Sequence, residues 1–154
     1  MRYLSKKVEM LIRLCTAEDE ATENALKEEL RGFVLPEKKE PTLQVRICRV
    51  LRDLGVPEHL SGYLYLVEAI ELVIMDPSYL RRITTALYPD VAKKYRSTPS
   101  QTERAIRHAI ETAWSRCDLD TLSYYFGNTV SPVKGKPVNS EFIACVSNAI
   151  RQEV

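Results

Sequence analysis

The segment Lys93–Arg116, KKYRSTPSQTERAIRHAIETAWSR, constrains this chain more than any other. It reads as the end of one helix, a short break and a second helix with two sharply different faces. Thr98 carries the oxygen an N-cap needs. Pro99 suits the first helical position, where a missing N–H costs nothing, and Gln101 stands where a capping-box partner reaches back. At about 100° per residue, Ala105, Ile106, Ala109, Ile110, Ala113 and Trp114 form one apolar stripe. Ser100, Arg104, Arg107, His108 and Glu111 gather opposite. The stripe demands a core to pack on. The polar face suits solvent, and its two arginines also lie in the half that a recognition helix presents to base edges.

The 154 residues suffice for one domain with a real core and a small appendage. A net charge of +1 is not that of a strongly basic nucleic-acid binder. The distribution says more. Residues 1–40 hold eight basic and nine acidic side chains, whereas 93–116 hold six basic and two acidic. A local patch can bind phosphate while the average stays near neutral. No apolar run approaches the ~20 residues of a membrane span, and the N-terminus lacks a signal-peptide core. The expected location is cytoplasmic, with no membrane partner. Cys15, Cys48, Cys117 and Cys145 are far apart and form no C-x-x-C pair, so zinc and thioredoxin-like readings fail. Reduced thiols are expected, with Cys48 and Cys145 as small hydrophobes on helical faces.

Along the chain, Leu4, Val8, Leu11, Ile12 and Cys15 give an amphipathic helix over 3–15. The cluster Glu18-Asp19-Glu20 opens a second helix through Leu30, with Gly32 as its stop. So short a hairpin, residues 1–35, cannot bury both faces alone; it must pack on the main body or on a second copy of itself. Pro36–Pro41 reads as a polar linker, residues 36–41, ahead of a domain over 42–154. There, Leu43, Ile47, Val50, Leu51 and Leu54 predict a helix from Thr42 to Leu54, ended by Gly55 and Pro57. Leu64–Met75 is apolar nearly all round, as a central helix would be, with Glu68 and Glu71 at its rim. Asp76-Pro77 opens a helix through Leu87, and Pro89 restarts the chain as a short helix to Tyr95. After the opening segment, Asp118 caps a helix through Tyr125 that Gly127 stops. Asn128–Val138 is a loop, and Asn139 caps a last helix with Phe142, Ile143, Val146 and Ile150 inward. The expected fold is all-α, about six helices behind an N-terminal hairpin.

A short helix, a tight break and a longer helix with a basic outer face make a helix-turn-helix, with Lys93, Lys94 and Arg96 placed to meet phosphates. The same break length and amphipathicity also describe many helical hairpins. Catalytic readings fail on spacing. His59 and His108 have no metal-ligand partners, His108 and Cys117 do not share a helical face, and no glycine-rich phosphate loop is present. No cofactor, metal site or enzymatic activity is expected.

Several blocks are recognisable: Gly55-Val56-Pro57, Gly62–Leu66, Leu87-Tyr88-Pro89-Asp90, Ala92-Lys93-Lys94, Glu103–Glu111 with Ala113–Arg116, Lys136-Pro137 and Asn139–Ala144. In this order and spacing, over about residues 42–152, they resemble the C-terminal effector domains of the stage-zero sporulation protein A family of response regulators. The resemblance implies a six-helix fold and binding to double-stranded DNA at short T-G-T-C-G-A-A-type boxes, often in tandem. It implies that Glu103, Arg104 and Arg107 read base edges. Arginine donates two bonds to guanine and glutamate accepts from cytosine, each good pair worth about 1–3 kcal/mol of discrimination. Ser100 and His108 would hold phosphate, as would Lys136 from the loop. Gln101, Cys117 and Tyr124–Asn128 depart from the family's pattern, the last in a region implicated in contact with a polymerase sigma factor. The family's receiver domain has no counterpart here, since forty residues cannot build it, so phosphorylation by that route is not the expected switch. Two readings follow. One is a DNA-binding regulator, with the hairpin as a candidate dimerising or packing element; the other is an interaction module acting on a full-length regulator or on RNA polymerase without reading DNA.

Overall fold

The computed structural model describes residues 9, 12–13, 20–32, 40–127 and 135–153. Among them lie seven α-helices and no strand. The chain divides into two units, residues 1–40 and 41–154. In the first, α1 (Glu20–Gly32) is helical through Gly32 rather than ending at Leu30, with acidic Glu20 and Glu23 in its first turn. Most of the expected helix over 3–15, Glu18-Asp19 and linker residues 36–39 lie outside the described residues, as does Cys15.

Among its described residues the second unit is an all-α domain of six helices. α2 (Leu43–Asp53) starts at Thr42, whose hydroxyl accepts from Val45 N at 3.4 Å. It ends as expected at Gly55, whose φ of +75° lets Val56 N reach back to Leu51 O at 2.9 Å. α3 (Ser61–Met75) is the centre, with Leu66, Ala69, Ile70 and Val73 fully buried. It packs on α5 (Pro99–Arg116), α7 (Asn139–Gln152) and α2. Two expectations about α3 need correcting. It begins at Ser61 rather than Leu64, because Leu60 is the extended residue at its start. It is also not buried all round: Leu64 is half exposed and Met75 is 76% exposed. Glu68 and Glu71 do sit at its rim, where Glu68 binds Lys94 and Glu71 accepts from Gln44 at 3.0 Å.

The expected α-helix from Pro77 to Leu87 is not there. Asp76 caps a single 3-10 turn, Pro77–Arg81, by accepting from Ser78 N at 2.9 Å. Arg82 then leaves helical geometry (φ −132°, ψ 41°), and a π-helical turn, Ile83–Leu87, leads directly into α4 (Tyr88–Lys94). Pro89 cannot donate to the carbonyl four residues back. The wider bonds Leu87 N–Arg82 O at 3.1 Å and Tyr88 N–Ile83 O carry the chain into α4 without a break.

α6 (Leu119–Phe126) is capped by Asp118 and stopped by Gly127, as expected. Tyr125 donates to Asp53 Oδ2 at 2.9 Å, and the Trp114 and Phe126 rings meet edge-on at 5.4 Å. Burial beside that carboxylate pushes the Tyr125 phenol well above its usual range. α7 buries Phe142, Ile143, Val146 and Ile150. Its N-cap, however, is Val138, which has no side-chain acceptor; only Glu141 reaches back, accepting from Val138 N at 3.2 Å. Asn139 is displaced from the capping role because its side chain is used inside the domain. Cys48, Cys117 and Cys145 are free, half-buried thiols. Among the described residues, no helix is long and apolar enough to cross a membrane.

Candidate nucleic-acid interface

The turn between α4 and α5 is short and fully hydrogen-bonded. Ser97 N donates to Ala92 O at 2.9 Å while Arg96 takes a left-handed conformation, φ +52°. Thr98 Oγ1 accepts from Gln101 N at 3.2 Å, and Gln101 Oε1 accepts from Thr98 N at 3.3 Å. The capping box read from TPSQ is therefore present, with Pro99 in the first turn. Ser97 Oγ adds a third bond to Gln101 at 3.3 Å.

The inner face of α5 buries Thr102, Ile106, Ala109, Ile110 and Ala113, while Ala105 and Trp114 border it half-buried. Thr102 is a core residue that apolar periodicity missed, and its buried hydroxyl has no partner. The rotation of α5 is set by contacts at two places. At Gly62 an added Cβ would stand 2.1 Å from Ala105 O and 2.8 Å from Ala109 Cβ, so α3 and α5 touch backbone to backbone. Across the helix, Asn139 Nδ2 donates to Glu103 O at 3.1 Å and to Tyr88 Oη at 3.0 Å. One buried amide thus joins α7, α4 and α5. A glycine inside an apolar helix was the available signal for the first contact. Nothing local marked the second.

Ser100, Arg104, Arg107 and His108 all lie exposed on the outer face of α5. Arg107 pairs with Glu103 one turn back, so two of the expected base readers hold each other. Arg104 faces solvent at the middle of that face, with no ion pair among the described residues. Lys136 is brought to this surface by its bond to Glu111, and that bond is the main reason the Glu111 carboxyl lies below its usual range. Lys93 is exposed at the end of α4. Lys94 stands apart from the others: it pairs with Glu68 of α3, a bond that raises the Lys94 pKa.

A family model described as sporulation initiation factor Spo0A, C terminal, matches residues 47–150. The chain belongs to this family. The Spo0A C-terminal match runs from within α2 to near the end of α7 and takes in every residue of the face just described. Membership makes this a helical DNA-binding domain of sporulation and transcription regulation, from a regulatory family rather than an enzyme family.

Proposed function

We propose that the protein is a sequence-specific transcriptional regulator that lays α5 in the major groove of tandem T-G-T-C-G-A-A-type boxes. Arg104, Arg107 and Glu103 read bases, while Ser100, His108, Lys93 and Lys136 hold backbone phosphates. Lys94 would join them only by leaving Glu68. The observation that carries this reading is the state of Arg104: central on the outer face of a capped, backbone-locked helix and committed to no other group. Glu103 and Arg107 deepen it, because a paired acid and base offer one acceptor and one donor for adjacent base pairs.

Regulation without phosphorylation belongs to the same proposal. In this reading the hairpin 1–35 and linker 36–41 precede the effector domain 42–154, and the hairpin joins two copies. A sigma factor would meet the α6 region, where Leu119 and Tyr124 are each 75% exposed. The protein would act in the cytoplasm.

Fluorescence anisotropy of the full chain on box and scrambled duplexes tests the reading. Tight, salt-sensitive binding with box preference supports it. Equal affinity for both duplexes, or a protein partner captured with no measurable DNA affinity, overturns it in favour of an interaction module.

A further inference from the structure

A cleft of about 510 Å³ opens beside α5 on the side of Glu103 and Arg107. It is also lined by Arg81 of the 3-10 turn, Thr84 of the π-helical turn and Ser140 of α7. Its one carboxylate of α5, Glu103, is already neutralised by Arg107.

The neighbouring arginines Arg81 and Arg82 differ in a way that points to a ligand. Arg82 is occupied: it donates to Ser78 Oγ at 2.8 Å, lies 4.0 Å from Asp76 and sits 5.8 Å from the Tyr79 ring centre. It holds the turn together. Arg81 is exposed and, among the described residues, engages nothing. Its backbone is nonetheless fixed, because Asp76 caps the turn and Tyr79 bonds Asp90. The side chain is therefore rooted at a defined place with its guanidinium donors unspent, free to close on phosphate oxygens.

A helix in the major groove has a phosphate backbone on either side of it. The Lys93–Ser100 end of the helix-turn-helix addresses one of them. We propose that the cleft seats a phosphate of the other, with Arg81 as the principal donor and the Thr84 and Ser140 hydroxyls as neutral partners. The start of α7 adds the partial positive charge of its helix terminus. The DNA footprint then extends past the helix-turn-helix onto the 3-10 turn. This rests on the DNA-reading role proposed above for α5.

The test is anisotropy of the full chain over a salt series on box and scrambled duplexes, with Arg81→Gln, Arg49→Gln and Arg104→Ala beside the wild type. Arg49 is an exposed arginine of α2 outside the cleft and serves as the charge control. Arg81→Gln should weaken binding to both duplexes alike and flatten the log affinity against log salt slope by about 0.9, the value for one lost phosphate contact. Arg49→Gln should leave slope and affinity as they are. An unchanged slope for Arg81→Gln, or the same small effect from both glutamine variants, overturns the proposal. A loss of box preference in Arg81→Gln also overturns it, since a phosphate donor carries no base information. If Arg104→Ala abolishes box preference while Arg81→Gln behaves as wild type, only the Arg81 seat fails. If wild type shows no box preference at all, the reading of α5 falls with it.

Discussion

Gly62 faces the backbone of Ala105 so closely that a methyl group on it would stand 2.1 Å from the Ala105 carbonyl oxygen. This contact joins the central helix to the helix that carries the DNA-facing residues. The two backbones approach because Gly62 has no side chain and the α5 side chain that faces it, Ala109, is a single methyl, 2.8 Å from where a Cβ would stand. Gly62→Ala must push α3 and α5 apart, since the obstruction is backbone and cannot rotate away. A loss of about 1–3 kcal/mol is expected in urea unfolding. DNA affinity should fall further than the lost stability explains, because Arg104 moves with α5.

Arg104→Ala should leave the melting temperature almost unchanged, since the side chain is exposed and bonded to nothing in the domain. Its effect should appear in binding. Box over scrambled preference should drop by about 1–3 kcal/mol, as one bidentate base contact is removed. Competition anisotropy with the two duplexes measures it.

Asn139 and Tyr88 should prove coupled. Asn139→Ala removes the donor to both Tyr88 Oη and Glu103 O and leaves buried polar groups unpaired, at a cost of about 1–3 kcal/mol. Tyr88→Phe removes only one of those bonds. In a double-mutant cycle by chemical denaturation, the combined loss should be smaller than the sum of the two single losses.

Arg96 is held at φ +52°, a conformation that costs a side-chain-bearing residue roughly 1–2 kcal/mol and glycine very little. Arg96→Gly should therefore raise thermal stability or leave it level, even with the added freedom of the unfolded chain. The same change removes a cation at the turn. A shallower salt dependence of DNA binding in a domain no less stable would show charge retained at the expense of strain.

The cap of α6 should titrate. Asp118 accepts from Thr121 N at 2.9 Å and from Thr121 Oγ1 at 2.8 Å, and the backbone bond is the chief cause of its lowered pKa. A carboxyl depressed by folding contributes stability that is fully present above its unfolded pKa of about 4 and is lost as pH falls through the folded value. The stability advantage of wild type over Asp118→Asn should then shrink as pH drops below that range. Denaturation midpoints collected through an acid series would show it.

Much of the domain was legible because its signals are local. The TPSQ cap, Gly55, Asp118 and Gly127 each act within a few residues of chain, and the structure uses each where the sequence placed it. The segment from Pro77 to Leu87 was not legible. Its apolar pattern fits a helix, yet the bonding shifts from 3-10 to π around Arg82 to bring Pro89 into α4. Asn139 was misread for a related reason. Its place before a helix favoured capping, but the buried oxygens of Tyr88 and Glu103 made a better use of the amide, and both lie far away in sequence.

The candidate face divides in the same way. The amino-acid order by itself determined that Ser100, Arg104, Arg107 and His108 share one side of a helix, because 3.6-residue periodicity is a property of the backbone alone. The same periodicity sets the Glu103–Arg107 pair, four residues apart on one helix. The tertiary structure alone decided which other charges are committed: Glu68 draws Lys94 toward α3, Glu111 draws Lys136 in, and Arg104 and Arg81 are left with no partner in the described domain. Pairing depends on which distant side chains packing brings within a few ångströms, and no local pattern encodes that distance.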